Sequence, residues 1–379
     1  MSKKILEFSE IKNIAELLTE LSREGYSNEE KRFYLSQYQD YKARLKGIPL
    51  SGSFELTPFC NLDCKMCYVH LYKDQLRGSK LLSVEQWKRI MKEAHEKGMM
   101  KACLTGGECL IYPGFEELYL YLESMGIQAS VKTNGLLLDQ KLHFFEKHPP
   151  KAITVSLYGS NEDAYEKVTG VRAFQKVIEN LQLLENIKCR KLISITPSKF
   201  MYEDAQPLLA LAESLGMEYH LNYGLFSPRE NTERDNYDLT PKEYVELRKI
   251  YHKLKNIETE PIDDIELPDP ASSGNKRFGL QCGAGRSGFS VQWNGLMCAC
   301  TNLSDISADL MKLSFADAWM QINRQAETIP LPEECPECPY NKVCMPCLAY
   351  HNDYGKPGHC NPAICEKTRA YVKAGLDKL

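Results

Sequence analysis

Cys60, Cys64 and Cys67 stand at Cys-x3-Cys-x2-Cys spacing, directly behind the short apolar-alternating stretch Phe54-Glu55-Leu56. Thiolates this close in sequence can share one metal centre. Structural zinc and ordinary iron–sulfur clusters take four protein ligands. Three ligands leave one metal position open, and an open position is where chemistry can happen. A second, denser set of cysteines runs from Cys282 to Cys365. A disulfide framework would account for cysteine-rich sequence in a short secreted chain. This chain has 379 residues and an odd count of 15 cysteines, and Met1-Ser2-Lys3-Lys4 is followed by no apolar signal segment. Metal ligation in a reducing cytoplasm is the better reading, since exposed clusters and reactive thiolates are readily oxidised.

Leu104-Thr105-Gly106-Gly107-Glu108 closes the next predicted strand. A Gly-Gly pair lets backbone approach a ligand closely, although many ordinary turns contain one. Placed one strand–helix unit after the cysteine triad, it resembles the radical SAM superfamily. There three cysteines hold a [4Fe–4S] cluster and S-adenosylmethionine binds the remaining iron. The resemblance implies that Glu108, with Gly106 and Gly107, takes the amino group of the methionine moiety, through a charge-assisted hydrogen bond worth about 1.5–3 kcal/mol. Cys109 stands where the family often has Pro, and reads as a small buried side chain. The strand ends Lys132-Thr133-Asn134-Gly135 and Ser156-Leu157-Tyr158-Gly159 fit the same cradle, and Arg172 opens a later helix. By resemblance, Thr133 and Asn134 belong to the cofactor site. Ser156 and Arg172 would reach its ribose or carboxylate, an Arg being able to bind the latter bidentately. Tyr68 would face the adenine edge. The bland alternatives are a strand-end hydroxyl and a solvated helix-start Arg. In the implied reaction the reduced cluster passes an electron to the sulfonium, the S–C5′ bond breaks, and the 5′-deoxyadenosyl radical removes a hydrogen atom from a substrate. The cofactors carry that chemistry and the protein orients them.

The C-terminal order is Cys282-x12-Gly295-x4-Cys300, then Cys335-x2-Cys338-x5-Cys344-x2-Cys347, then Cys365 after 17 residues. Two bare Cys-x2-Cys pairs would read as a zinc ribbon. The full order resembles the SPASM domain, which carries auxiliary [4Fe–4S] clusters, except that the family usually shows Cys-x3-Cys where Cys344-x2-Cys347 stands. The resemblance implies three clusters in all. Cys335, Cys338, Cys344 and Cys365 would hold the distal auxiliary cluster, with Cys360 competing for the place of Cys365. Cys282, Cys300 and Cys347 would hold the proximal one, its fourth ligand being Cys298, a substrate thiolate or another group. Cys103 and Cys189 read as core residues.

These groups need a scaffold. Short apolar strands are predicted at 53–57, 101–105, 127–133, 151–158, 189–196 and 218–224, with helices at 83–97, 113–125, 139–147, 172–186 and 201–215. Alternating strand and helix argues for a parallel α/β sheet. The pattern by itself leaves an open doubly wound sheet possible; the resemblance decides for a partial (β/α)6 TIM-like barrel, in which function gathers at the C-terminal strand ends. The expected organisation is a helical segment over 1–49, the radical SAM barrel over 50–225, a bridge over 226–281 with a helix at 239–254 and a loop at 258–275, and the SPASM domain over 282–379 with a closing helix. Packing rather than substrate docking is expected of 1–49.

Hydrophobic content of 43% and charged content of 26% are globular values. A net charge of −4 offers nothing to nucleic acid, and no apolar run is long enough for a membrane span. The implied function is hydrogen abstraction from a peptide, most commonly with thioether crosslinking of a ribosomally made substrate. An external donor such as flavodoxin or ferredoxin would supply the electron; a leader would be recognised by a separate protein or by the short arm 1–49, unless the substrate has none. Formylglycine formation is the neighbouring reading, disfavoured because the family places Asp where Thr301 stands. Small-molecule oxidation and a non-catalytic iron–sulfur or zinc scaffold complete the alternatives.

Overall fold

The computed structural model describes residues 8–69, 80–226, 237–257, 280, 282–338, 340, 343–344, 347–354 and 358–376. The loop expected at 258–275 and much of the bridge over 226–281 lie outside them.

Six parallel strands form the frame: β1 (Ser51–Glu55), β2 (Lys101–Thr105), β3 (Ser130–Thr133), β4 (Ala152–Ser156), β5 (Arg190–Ile195) and β6 (Glu218–Leu221). They lie in sequence order across the sheet, each paired in parallel with the next. This is the α/β arrangement of the expected partial (β/α)6 barrel. Strand side chains alternate between its faces. Phe54, Leu104, Val131, Ile153, Val155 and Ile193 are buried on the side covered by helices. The helices α3 (Val84–Glu96), α4 (Phe115–Ser124), α5 (Leu142–Lys147), α7 (Phe174–Leu183) and α8 (Ala205–Ser214) fall within the predicted ranges. In α3, Trp87, Ile90, Met91 and Ala94 follow the helical period and are fully buried, with Trp87 edge-on to Phe54 at 6.0 Å.

Two features depart from expectation. An additional helix, α6 (Glu162–Thr169), lies where the sequence pattern showed only a loop. It spans 8 residues and buries only Tyr165, Val168 and Thr169, so its period runs for little more than one turn. Its ends are set by Asn161, which accepts from the Ala164 amide, and by Gly170 at φ +71°. Second, the cysteine-rich region adds strands to the same sheet. Strand β7 (Gly288–Val291) pairs in parallel with β1, and β8 (Leu296–Cys300) and β9 (Leu303–Asp309) follow antiparallel. The turn between β7 and β8 uses Asn294-Gly295, with Gly295 at φ +88°. The Gly-x4-Cys spacing is therefore a hairpin turn plus the strand that delivers Cys300.

The N-terminal helices α1 (Ile14–Arg23) and α2 (Asn28–Lys46) form a small unit around Ile11, Leu17, Leu21, Tyr26 and Tyr38. A Ser27–Glu30 capping box starts α2. Asp40 of α2 accepts from Lys101 Nζ at 2.8 Å. Lys101 opens β2, so this contact lies at the N-terminal strand ends, opposite the cysteine triad. After the barrel come α9 (Pro241–Leu254), α10 (Phe315–Thr328), the short α11 (Leu348–Tyr354) and α12 (Pro362–Lys373). Arg248 of α9 is buried. Its guanidinium donates to Tyr244 Oη at 2.9 Å and to the Leu376 carbonyl at 3.0 Å, and lies 5.0 Å from the Tyr371 ring centroid. Lys367 and Asp238 pair at 2.5 Å nearby. These contacts fasten α12 and the segment up to Leu376 to α9.

Candidate active site

Strand β1 ends at Glu55, and the chain runs on through 56–59 to Cys60. That connection is held by backbone. The Leu56 amide donates to the Thr105 carbonyl at 2.9 Å, Gly107 to Thr57 at 2.7 Å and Glu108 to Phe59 at 2.8 Å. A Cβ on Gly106 would lie 2.5 Å from the Thr57 carbonyl oxygen, and one on Gly107 2.4 Å from that of Phe59. In this structure the Gly-Gly pair thus lets two loops meet backbone to backbone; sequence reasoning assigned the same freedom to a ligand contact. The far side of the cysteine loop rests on α6. The Asp63 amide donates to the Thr169 carbonyl at 2.9 Å and that of Lys65 to Val168 at 3.1 Å. Cys60 is exposed, and Cys64 and Cys67 half-buried. Burial pushes the Cys60 thiol up to about 11 and raises Cys64 well above its ordinary value, with repulsion from the neighbouring thiols adding to both. A cationic centre among them would reverse that preference, since metal-bound thiols are deprotonated.

Glu108 lies beneath this loop and is fully buried. Its carboxylate accepts from the Leu110 amide at 3.0 Å, the Asn134 amide at 2.7 Å and Thr133 Oγ1 at 2.9 Å. Burial raises its pKa, while these donors favour the ionised form. Asn134 continues the network: its Nδ2 donates to Asn61 Oδ1 at 2.7 Å and reaches Cys60 Sγ at 3.6 Å. Glu108, Thr133 and Asn134 are thereby joined to the first cysteine. Ser156 ends β4, and Tyr158, two residues on, lies near Cys64, where burial holds its hydroxyl well above the ordinary value. Sequence reasoning quoted Tyr158 without giving it a part. Its signal was the same strand-end position that drew attention to Ser156. Tyr68 follows Cys67, half-buried. The Arg172 guanidinium is held by Asp163 at 3.0 Å and Glu166 at 2.7 Å on the exposed side of α6. Cys109 is buried, as expected, and its Sγ donates to the Lys132 carbonyl at 3.2 Å.

The C-terminal cysteines form two groups. Cys300 ends β8, and burial pushes it up to about 11, with Cys347 and Cys282 adding to the effect. Cys298 is fully buried in β8, where Gln292 Nε2 donates to its Sγ at 3.5 Å. Strand β8 runs antiparallel to β7, with Cys298 opposite Ser290 and Gly288 level with Ser51. Cys300 therefore sits level with the start of β1, whereas Cys60 lies beyond its end. The second group lines a cavity of about 430 Å³, counting the solvent at its mouth, formed by Cys335, Cys338, Cys344, Cys360 and Cys365 with His351, Thr368 and Arg369 among its walls. Cys360 and Cys365, alternatives in the sequence, both face it. Among the described residues no group of three or more His, Cys, Asp or Glu side chains is gathered for a single metal ion.

Residues 54–212 match the Radical SAM superfamily. That stretch is a radical SAM domain and makes up less than half of the chain; the superfamily's defining centre is a [4Fe–4S] cluster used with S-adenosylmethionine. The chain's relatives include the GTP 3′,8-cyclase of Clostridium perfringens, 28% identical over 160 residues; the match spans 41% of this chain and only 50% of that protein. The antilisterial bacteriocin subtilosin biosynthesis protein AlbA of Bacillus subtilis is 23% identical over 349 residues, covering 86% of this chain and 74% of AlbA. Among solved structures, Streptococcus suis SuiB bound to S-adenosylmethionine superposes with a TM-score of 0.65 at 17% identity, over 92% of this chain and 86% of that one. SuiB bound to its precursor peptide SuiA gives 0.64 at 15% identity over the same shares. At this identity the likeness is one of fold, and it extends through the cysteine-rich region.

Proposed function

We propose that the chain is a peptide maturase: a radical SAM/SPASM enzyme that abstracts hydrogen from a ribosomally made peptide, most readily in forming a thioether crosslink. The observation that carries this reading is the position of the cysteine groups at opposite ends of one sheet. Cys60, Cys64 and Cys67 lie beyond the C-terminal ends of the parallel strands, and Cys300 lies level with their starts. The separation along β1 is roughly 13 Å at about 3.3 Å per residue. The other face of the sheet lies between, lined at the strand positions not packed under helices by Thr105, Lys132, Thr154, Ser156, Ser194 and His220, with Cys103 and Leu192 among them. A whole barrel fills the space against that face with branched apolar side chains; a mostly polar face suits a substrate segment. AlbA, a bacteriocin biosynthesis protein, and SuiB, seen with a precursor peptide, are similar to this chain over most of its length.

In this reading Cys60, Cys64 and Cys67 hold the first cluster, and the thiol chemistry of both C-terminal groups fits two more. Cys282, Cys300 and Cys347 take the proximal cluster, with Cys298 or a substrate thiolate as fourth ligand. Cys335, Cys338 and Cys344 take the distal one, with Cys365. When bound, the reduced first cluster and S-adenosylmethionine supply the 5′-deoxyadenosyl radical. The residues of this chain orient that pair. Glu108, whose ionised form its three donors favour against the cost of burial, offers its carboxylate to the cofactor ammonium. Thr133, Asn134, Ser156 and Tyr68 line the adenosyl side. Arg172 reaches the carboxylate by exchanging Asp163 and Glu166 for it, and exposed ion pairs of that kind are weakly held. A flavodoxin or ferredoxin supplies the electron. The test is anaerobic reconstitution with dithionite, S-adenosylmethionine and a short Cys-rich candidate peptide, sought in the neighbouring open reading frames. The expected result is 5′-deoxyadenosine together with a peptide lighter by two hydrogens. Cofactor cleavage with an unaltered peptide would sink the maturase reading while sparing the superfamily.

A further inference from the structure

We propose that Cys360 is a reserve ligand of the distal cysteine cavity, able to replace Cys335 or Cys365. The inference rests on the reading that this cavity holds an iron–sulfur cluster. Such a cluster takes four thiolates, and five cysteines line the cavity. The fifth is held in place by backbone and side-chain contacts. Glu334, the residue before Cys335, accepts from the Cys360 amide at 3.0 Å and meets His359 Nδ1 at 3.1 Å. The two sulfurs are thereby set 3.9 Å apart. On its other side the Asn361 amide donates to His351 Nδ1 at 2.9 Å, and Asn361 caps α12 through the Ala363 amide at 2.9 Å. Cys365 stands one turn into that helix and lines the same cavity. Cys360 is therefore wedged between two of the family-assigned ligands.

The geometry limits what a fifth thiol can do. A cuboidal cluster sets its four cysteine sulfurs on separate corners, well beyond thiol–thiol contact. Sulfurs 3.9 Å apart serve one corner in turn rather than two corners at once. Exchange at that corner is redox-neutral. One iron–thiolate bond breaks, another forms, and the Cys360 proton passes to the departing thiolate. A reserve ligand of this kind would retain the cluster when oxidation or strain frees one of its regular ligands.

The experiment measures iron and acid-labile sulfide per chain after anaerobic reconstitution of the full-length protein. C360S, C335S and C365S each keep the wild-type content. The doubles C335S/C360S and C360S/C365S each lose about four irons. Iron at the other sites is retained, which separates loss of one cluster from misfolding. The proposal is overturned if C335S or C365S alone loses those irons, or if C360S alone does, since Cys360 would then be an idle thiol or an obligatory ligand. If removing Cys335, Cys338, Cys344 and Cys365 together leaves the iron content unchanged, the cavity holds no cluster, and the reading beneath the proposal fails with it.

Discussion

The cysteine loop after β1 and the cysteine cavity beside α12 hold their thiols by different means. The loop is local. Its cysteines lie within eight residues and are steadied by main-chain contacts: Gly107 to Thr57, Glu108 to Phe59, Asp63 to Thr169. The cavity gathers cysteines from 335 to 365 and adds long-range side-chain contacts to main-chain ones such as Glu333 to Gly358 and Cys344 to Tyr340. Glu334 holds Cys360, Asn361 meets His351, and Tyr371 Oη donates to the Val343 carbonyl at 2.5 Å. A loop fixed by backbone tolerates little movement, which suits a centre that must present an open iron to a cofactor. A cavity fixed in part by side chains can offer alternatives at a corner, which suits a centre that only has to persist.

The sharpest way to break this comparison is to remove one ligand from each site. Cys64→Ala abolishes 5′-deoxyadenosine formation. Cys338→Ala, for which Cys360 is not placed to substitute, leaves cofactor cleavage but stops peptide turnover. Equal losses in chromatographic assay of both products would show that the two sites are not separable. Gly107→Ala comes next. Its new Cβ meets backbone rather than a yielding side chain, so overpacking costs about 1–3 kcal/mol. Chemical denaturation reads that cost, and iron analysis shows the triad's cluster depleted while the C-terminal iron stays.

The metal-free protein supplies a pH test of the loop's support. Burial holds the Glu108 pKa above its ordinary carboxylate value. Below the ordinary range both folded and unfolded states are protonated, and the group contributes nothing. As pH rises through the window between the ordinary and the raised values, the unfolded state ionises first and the fold loses stability. Glu108→Gln removes that dependence, and a stability–pH curve no flatter than wild type would assign the slope elsewhere. The smallest effect is expected of Arg172→Ala, whose ion pairs are exposed. The thermal midpoint stays unchanged, while the KM for S-adenosylmethionine rises if the guanidinium leaves α6 for the cofactor carboxylate.

Legibility in the sequence followed how local each feature is. Strand β2 lies where apolar spacing put it, at 101–105, because alternation over five residues needs no distant partner. Helix α6 escaped because eight residues, with only Tyr165 and Val168 as a buried apolar pair, are helical only with both ends capped and one face resting against the barrel. Strands β7 to β9 escaped although Asn294-Gly295 is a strong hairpin signal, since the cysteines around it drew the reading toward metal ligation. Thr133 was read as a cofactor contact; that its hydroxyl would donate to Glu108, 25 residues away, had no signal in the chain.

What the sequence determined by itself was the chemistry within short reach: the triad's spacing, the Gly-Gly-Glu turn, the Cys-x2-Cys pairs. These follow from ligand bite and backbone freedom over a few residues. The tertiary structure decided which distant groups meet. It placed β7 beside β1, so that cysteine groups occupy opposite ends of one sheet. It set α6 under the triad's loop. It also brought five thiols to one cavity where the chain order offered a choice between two. The reason is that loop closure costs little extra as separation grows. Spacing therefore says little about which remote residues meet, and packing of the shared core decides it.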